Sequence, residues 1–71
     1  MKFSQFCDWI NVFSGERPKN IRLGQHAFNT LCEFAPGVAD RLRASDIDPF
    51  HRDDLVPAFL SEILMSYVRM D

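Results

Sequence analysis

No stretch of the 71 residues approaches the ~20 consecutive apolar positions of a membrane-spanning helix. Residues 1–14 are interrupted by Ser4, Gln5, Asp8 and Asn11, so they offer no apolar region of a secretory signal, and a cytoplasmic location is the default expectation. A basic excess is missing as well. The formal net charge is −2, whereas sequence-independent binding to nucleic acid relies on clustered Lys and Arg, so nucleic acid is a disfavoured partner. Lys2 is the only cation in the first amphipathic segment, which argues against a helix lying in a membrane surface. Cysteine is limited to Cys7 and Cys32, and neither makes a short ligand spacing with the other, with His26 or with His51. No metal and no cofactor are expected. Both thiols fall on apolar helical stripes, which predicts buried, unreactive free cysteines. Strand signals are absent too: there is no alternating run of β-branched residues and no Asn-Gly or Asp-Gly hairpin turn.

Aromatic residues, by contrast, are plentiful. Seven Phe and one Trp in so short a chain mean either an aromatic-rich core or a surface that a partner covers. A domain of this size buries only about 60% of its unfolded surface, so the core must be thin.

Apolar spacing predicts an all-α, compact single domain over residues 1–71, with about four helices at 4–14, 25–35, 37–44 and 55–70. In the first, Phe3, Phe6, Cys7, Ile10 and Phe13 form a stripe with Trp9 on one edge; Ser4 would cap it and Gly15 would end it in the left-handed region. Residues 15–23 form a basic loop. Gly24 would open the second helix as a permissive first residue, and Ala27, Phe28, Leu31, Cys32 and Ala35 line its apolar side. Pro36 disfavours helix at Ala35 and suits the first turn of a third helix. Residues 46–54 hold too many turn formers to continue it. Asp54 would cap the last helix, whose stripe of Val56, Phe59, Leu60, Ile63, Leu64, Tyr67 and Val68 is the clearest in the chain.

The order Leu23-Gly24-Gln25, Phe28-Asn29-x-Leu31, Pro36-x-x-Ala39, Asp48-Pro49-Phe50 and Asp53 resembles a family of small, mostly uncharacterised helical proteins encoded by phages, prophages and other mobile elements. The resemblance covers roughly residues 22–64, and its specificity lies in the order and spacing of short pieces. His51-Arg52 departs from the more acidic or aromatic pair expected there. The resemblance implies a cytoplasmic helper or host-takeover factor and supplies no catalytic residues.

The residues point away from an enzyme. A chain this small has little room for a ligand cleft, and acidic loop residues such as Asp46 and Asp48 more often cap turns than carry protons. The expected function is a non-catalytic protein-interaction module that binds a host or self protein, with inhibition of a host defence system as one outcome. Two alternatives stand beside it: a small helix-turn-helix-like DNA-binding regulator using Arg41 and Arg43, and a homodimeric structural module. Candidate contact residues are Gln25, Asn29, Arg41, Asp48, Phe50, Met65 and Arg69. For the motif residues the structural expectation is that Asn29 bonds the late loop, Asp48 braces Arg41 or Arg43, and Phe50 plugs the helix junction. The charged loops, basic at Arg17, Lys19 and Arg22 and acidic at Asp46, Asp48, Asp53 and Asp54, are either two solvated turns or two poles that steer a partner.

Overall fold

A computed structural model describes residues 1–70 and contains four α-helices: α1 (Phe3–Ser14), α2 (Leu23–Phe34), α3 (Pro36–Leu42) and α4 (Val56–Ser66). A 3-10 turn at Asp53–Leu55 leads into α4. There is no strand among the described residues. The apolar periodicity explains the arrangement, since residues three and four apart share a helix face. Phe6, Trp9 and Phe13 of α1, Ala27, Phe28 and Leu31 of α2, Ala39 and Leu42 of α3, and Val56, Phe59 and Ile63 of α4 meet in one core. Burying each large side chain among these contributes roughly 1.5–3 kcal/mol relative to exposure.

The aromatic excess is spent inside. Trp9 lies against Phe6, Phe13 and Phe59, with ring centroids 5.9, 4.9 and 6.0 Å away. Phe59 stacks on Phe28 at 6.0 Å, and Phe28 meets Phe50 edge-on at 6.2 Å. A continuous line of rings therefore ties α1, α4, α2 and the late loop together. Of the seven phenylalanines only Phe3 is markedly exposed. Trp9 is not on an edge, as the helical spacing suggested, but fully enclosed. Its indole N–H donates to the Ala27 carbonyl and the Thr30 hydroxyl, both at 3.0 Å. That partnership allows a polar tip to be buried without a desolvation penalty.

Several helix ends differ from expectation. The first helix begins one residue early: Lys2 precedes it, and the Lys2 backbone N–H donates to Gln5 Oε1 at 2.9 Å, so Ser4 is not the cap. Gly15 ends α1 at φ −81°, outside the left-handed region. The third helix starts on Pro36, one residue ahead of the expected 37–44, with the proline in its first turn, and stops at Leu42. The last helix stops at Ser66, four residues short of the predicted 55–70. Beyond Tyr67 the chain leaves the helix and finds backbone partners beside residues 1–3. Phe3 N–H donates to Arg69 O at 2.8 Å, Arg69 N–H to Met1 O at 2.9 Å, and the Met1 amino group to Tyr67 O at 2.7 Å. This makes an isolated parallel bridge between Lys2 and Arg69.

Past the end of α3, Ala44 sits at φ +60°, a conformation that costs a residue with a Cβ about 1–2 kcal/mol. Its N–H donates to Asp48 Oδ2 at 2.6 Å, which holds it there. Ala44→Gly removes that strain but frees the unfolded chain. A net gain of about 0.5–1 kcal/mol is expected, seen as a rise in Tm of about 2–6 °C in a thermal melt.

Candidate interaction surfaces

Gly24 decides how the late loop meets the helices. It is the second residue of α2 and is buried; Arg22 occupies the capping position instead. A Cβ on Gly24 would stand 2.1 Å from the Pro49 carbonyl oxygen, well inside van der Waals contact, so the loop backbone needs glycine here. Two longer-range bonds close the contact. Gly24 N–H donates to Asp53 Oδ1 at 2.9 Å, and an Arg22 guanidinium N–H donates to the Phe50 carbonyl at 2.8 Å. The carboxylate that satisfies the free N–H at the start of α2 thus arrives from 29 residues along the chain. Asp53, not Asp54, is the capping acid, and it caps α2 instead of α4. Asp54 pairs with Arg52 at 2.6 Å on the open surface, and that partner holds its carboxyl below the usual range. An exposed pair of this kind adds little to stability. Asp53→Ala is expected to cost about 1 kcal/mol in a denaturant titration, while Asp54→Ala stays within about 0.5 kcal/mol of wild type.

The seated loop shapes a hollow of about 300 Å³ lined by Phe28, Arg43, Ala44, Asp48, Phe50 and His51. Asp48 and Phe50, two of the predicted contact residues, come together here. Asp48 does not brace Arg41 or Arg43. Its two oxygens accept the N–H groups of Ala44 and Phe50, at 2.6 and 2.9 Å. The Arg43 guanidinium lies 5.1 Å from the centre of the Phe28 ring and 3.3 Å from Asp40. Its hydrogen bond to Asp40 keeps it more firmly protonated than usual. Phe50 does fill the junction, edge-on to Phe28 and with His51 4.9 Å away. A second hollow of about 420 Å³ lies between the end of α1 and the start of α2, lined by Phe13, Ser14, Gly15, Arg17 and Leu23.

The remaining predicted residues are scattered over other elements. Gln25 and Asn29 share one side of α2 a turn apart; Asn29 is exposed and makes no bond to the loop, which Gly24 and Arg22 hold instead. Arg41 is exposed on a helix of only seven residues, beside Asp40. Arg69 lies beyond the end of α4, where its backbone forms the terminal bridge, so it is not part of that helix's outer face. Cys7 and Cys32 are free but only partly buried, not enclosed as expected, and Cys32 Sγ sits 4.0 Å from the Arg43 guanidinium. No three His, Cys, Asp or Glu side chains gather as a metal-holding group among the described residues. The buried Nε2 of His26 and Oγ of Ser45 have no hydrogen-bond partner, and nothing in the structure explains either.

Met65 stands apart from all of these. It is 83% exposed, and Leu64 beside it is 46% exposed. Helical geometry places Pro57, Ala58, Ser61, Leu64 and Met65 on the side opposite Phe59 and Ile63. The whole outward face of α4 is therefore uncharged, where protein surfaces ordinarily carry about a quarter to a third charged residues. The helix's one charge, Glu62, lies at the margin and accepts a bond from the Ser66 hydroxyl at 2.5 Å. That exposed side sets the small Ala58 and Ser61 beside the larger Leu64 and Met65. No helix among the described residues is long and apolar enough to cross a membrane. No protein-family model, no curated protein and no solved structure matches the chain at a significant level.

Proposed function

We propose that the chain is a small, non-catalytic protein-interaction module of the kind that phages, prophages and other mobile elements carry, working in the cytoplasm by docking α4 on a protein. The observation that carries this reading is the uncharged outer face of α4, with Met65 standing almost free of the molecule. An exposed methionine adapts its shape to a partner, and an apolar patch on water is relieved by burial. The polar atoms of the junction hollow are largely engaged within the fold: both Asp48 oxygens hold backbone N–H groups and Arg43 leans on Asp40. The motif residues Gly24, Phe28, Asp48, Phe50 and Asp53 thus hold the scaffold that presents α4. Interference with a host defence system is one use such docking would serve.

A photocrosslinking residue, Met65→p-benzoylphenylalanine, should give a discrete protein adduct, with a bacterial protein in lysate or with the chain itself in purified form. Met65→Arg should prevent association and leave the circular dichroism spectrum and Tm unchanged, since a surface substitution costs within about 0.5 kcal/mol. Absence of any discrete adduct under both conditions refutes the reading.

A further inference from the structure

We propose that the hollow between the end of α3 and the late loop binds a small aromatic carboxylate, a flat ring that carries one acid group. The site goes beyond the docking reading of α4 and shares no residue with that helix. Its volume of about 300 Å³ lies at the low end of the range for ligand pockets and suits a molecule of one or two rings. Three of its lining residues carry rings themselves: buried Phe28, half-buried Phe50 and exposed His51. Phe50 already meets Phe28 and His51 edge to face, with centroids 6.2 and 4.9 Å apart. A further ring beside it extends an arrangement that aromatic groups favour.

The polar groups select the charge. Asp48 is the one carboxylate in the lining, and its two oxygens each accept a backbone N–H, from Ala44 and Phe50. Its charge is met within the loop, so it has little left for a cation. Arg43 differs. A guanidinium is a fork of several N–H donors, and the bonds of this one leave from Nη2 alone, to Asp40 Oδ1 at 3.3 Å and to Cys32 Sγ at 4.0 Å. Among the described residues, no acceptor meets Nε or Nη1. The Asp40 contact is a single long bond between side chains that are 58% and 74% exposed, so it holds Arg43 weakly. A carboxylate in the hollow takes two parallel bonds from the same fork, which is the stronger geometry. Asp40 is then the ligand's competitor for Arg43, while Phe28, 5.1 Å from the guanidinium carbon, keeps that side chain over the hollow.

Titration of the isotope-labelled chain with phenylacetate, followed by heteronuclear NMR, tests this. The amides of Ala44, Phe50 and His51 and the Arg43 Nε–H should shift and saturate, with a dissociation constant on the order of 0.1–1 mM. Phenylacetamide, which lacks the charge, and acetate, which lacks the ring, should each bind at least about tenfold more weakly. Arg43→Lys keeps the charge but loses the fork, and should weaken binding about tenfold. Asp40→Asn removes the competing acid and should tighten binding about two- to fivefold, a gain that a damaged fold cannot produce. The proposal is overturned if no saturable shift occurs up to about 10 mM. It is equally overturned if phenylacetamide binds as well as phenylacetate, if the shifts cluster away from the late loop, or if Asp40→Asn binds no tighter than wild type. The α4 face stands or falls separately, by the position-65 crosslink.

Discussion

Gly24→Ala is expected to destabilise the domain by about 3–5 kcal/mol, through forced overlap with a backbone that has nowhere to go. A chain of this length has only about 4–10 kcal/mol in total, so much of the population should be unfolded at 37 °C. The added methyl would meet the Pro49 carbonyl, its carbon and its Cβ together. The Pro49 carbonyl cannot retreat freely, because it accepts the Arg52 N–H at 3.0 Å. Lifting the loop would also break the Gly24–Asp53 and Arg22–Phe50 bonds and part the Phe28–Phe50 ring contact. Gly37 supplies the control. It is also the second residue of a helix, yet its Cβ position is open, with nothing within 4 Å. Gly37→Ala should raise stability by about 0.5–1 kcal/mol from helix propensity alone. Urea titrations of the two variants should move the midpoint in opposite directions. Equal shifts would mean that the loop does not press on α2.

Trp9→Ala should be as damaging, at about 3–5 kcal/mol, because it empties the point where α1, α2 and α4 meet. Phe6, Phe13 and Phe59 would lose a shared neighbour, and the Ala27 carbonyl and Thr30 hydroxyl would lose a donor. Circular dichroism at 25 °C should show a largely unfolded chain. Trp9→Phe separates the two contributions. It keeps a ring in place and removes the indole N–H, at an expected cost of about 1.5–3 kcal/mol. Thr30→Val removes one acceptor and leaves the Ala27 carbonyl, so its cost should be about 1 kcal/mol. In the double variant the two losses should add to less than their sum, since the same hydrogen bond is removed twice.

The parts of this fold that local spacing encodes were legible. Val56, Phe59 and Ile63 recur at helical steps and are buried, and Pro36 opens α3 because a proline ring suits a first turn. The parts set by distant partners were not. Nothing near Gly24 announces that Pro49 will lie on it, and nothing near Asp53 says that it will cap a helix begun 30 residues earlier. Asp54, with the better local position for a cap, was the natural choice. The end of α4 departs from expectation for the same reason: Tyr67 and Val68 continue the apolar stripe, yet Tyr67 and Arg69 bond to residues 1–3. Leu23-Gly24-Gln25, Asp48-Pro49-Phe50 and Asp53 stand far apart in sequence, and only the structure shows that Gly24 meets Pro49 and Asp53. As for the candidate surface, Met65 was visible as a helix-face methionine. The retreat of Arg69 from that face, which leaves it without charge, depends on where the helix stops.

The Gly24 amide also provides a gauge of local opening. Its hydrogen is bound by a carboxylate on another segment, so it can exchange with solvent only when residues 48–53 lift away. In deuterated water its exchange should keep pace with that of the Arg52 amide, held by Pro49 on the same loop, and respond to Asp53→Asn. Amides in the middle of α2 should follow a slower clock. Folding inherits the same dependence, because a turn of helix that waits for a far-off acid cannot be completed until some 30 residues of intervening chain have closed on themselves.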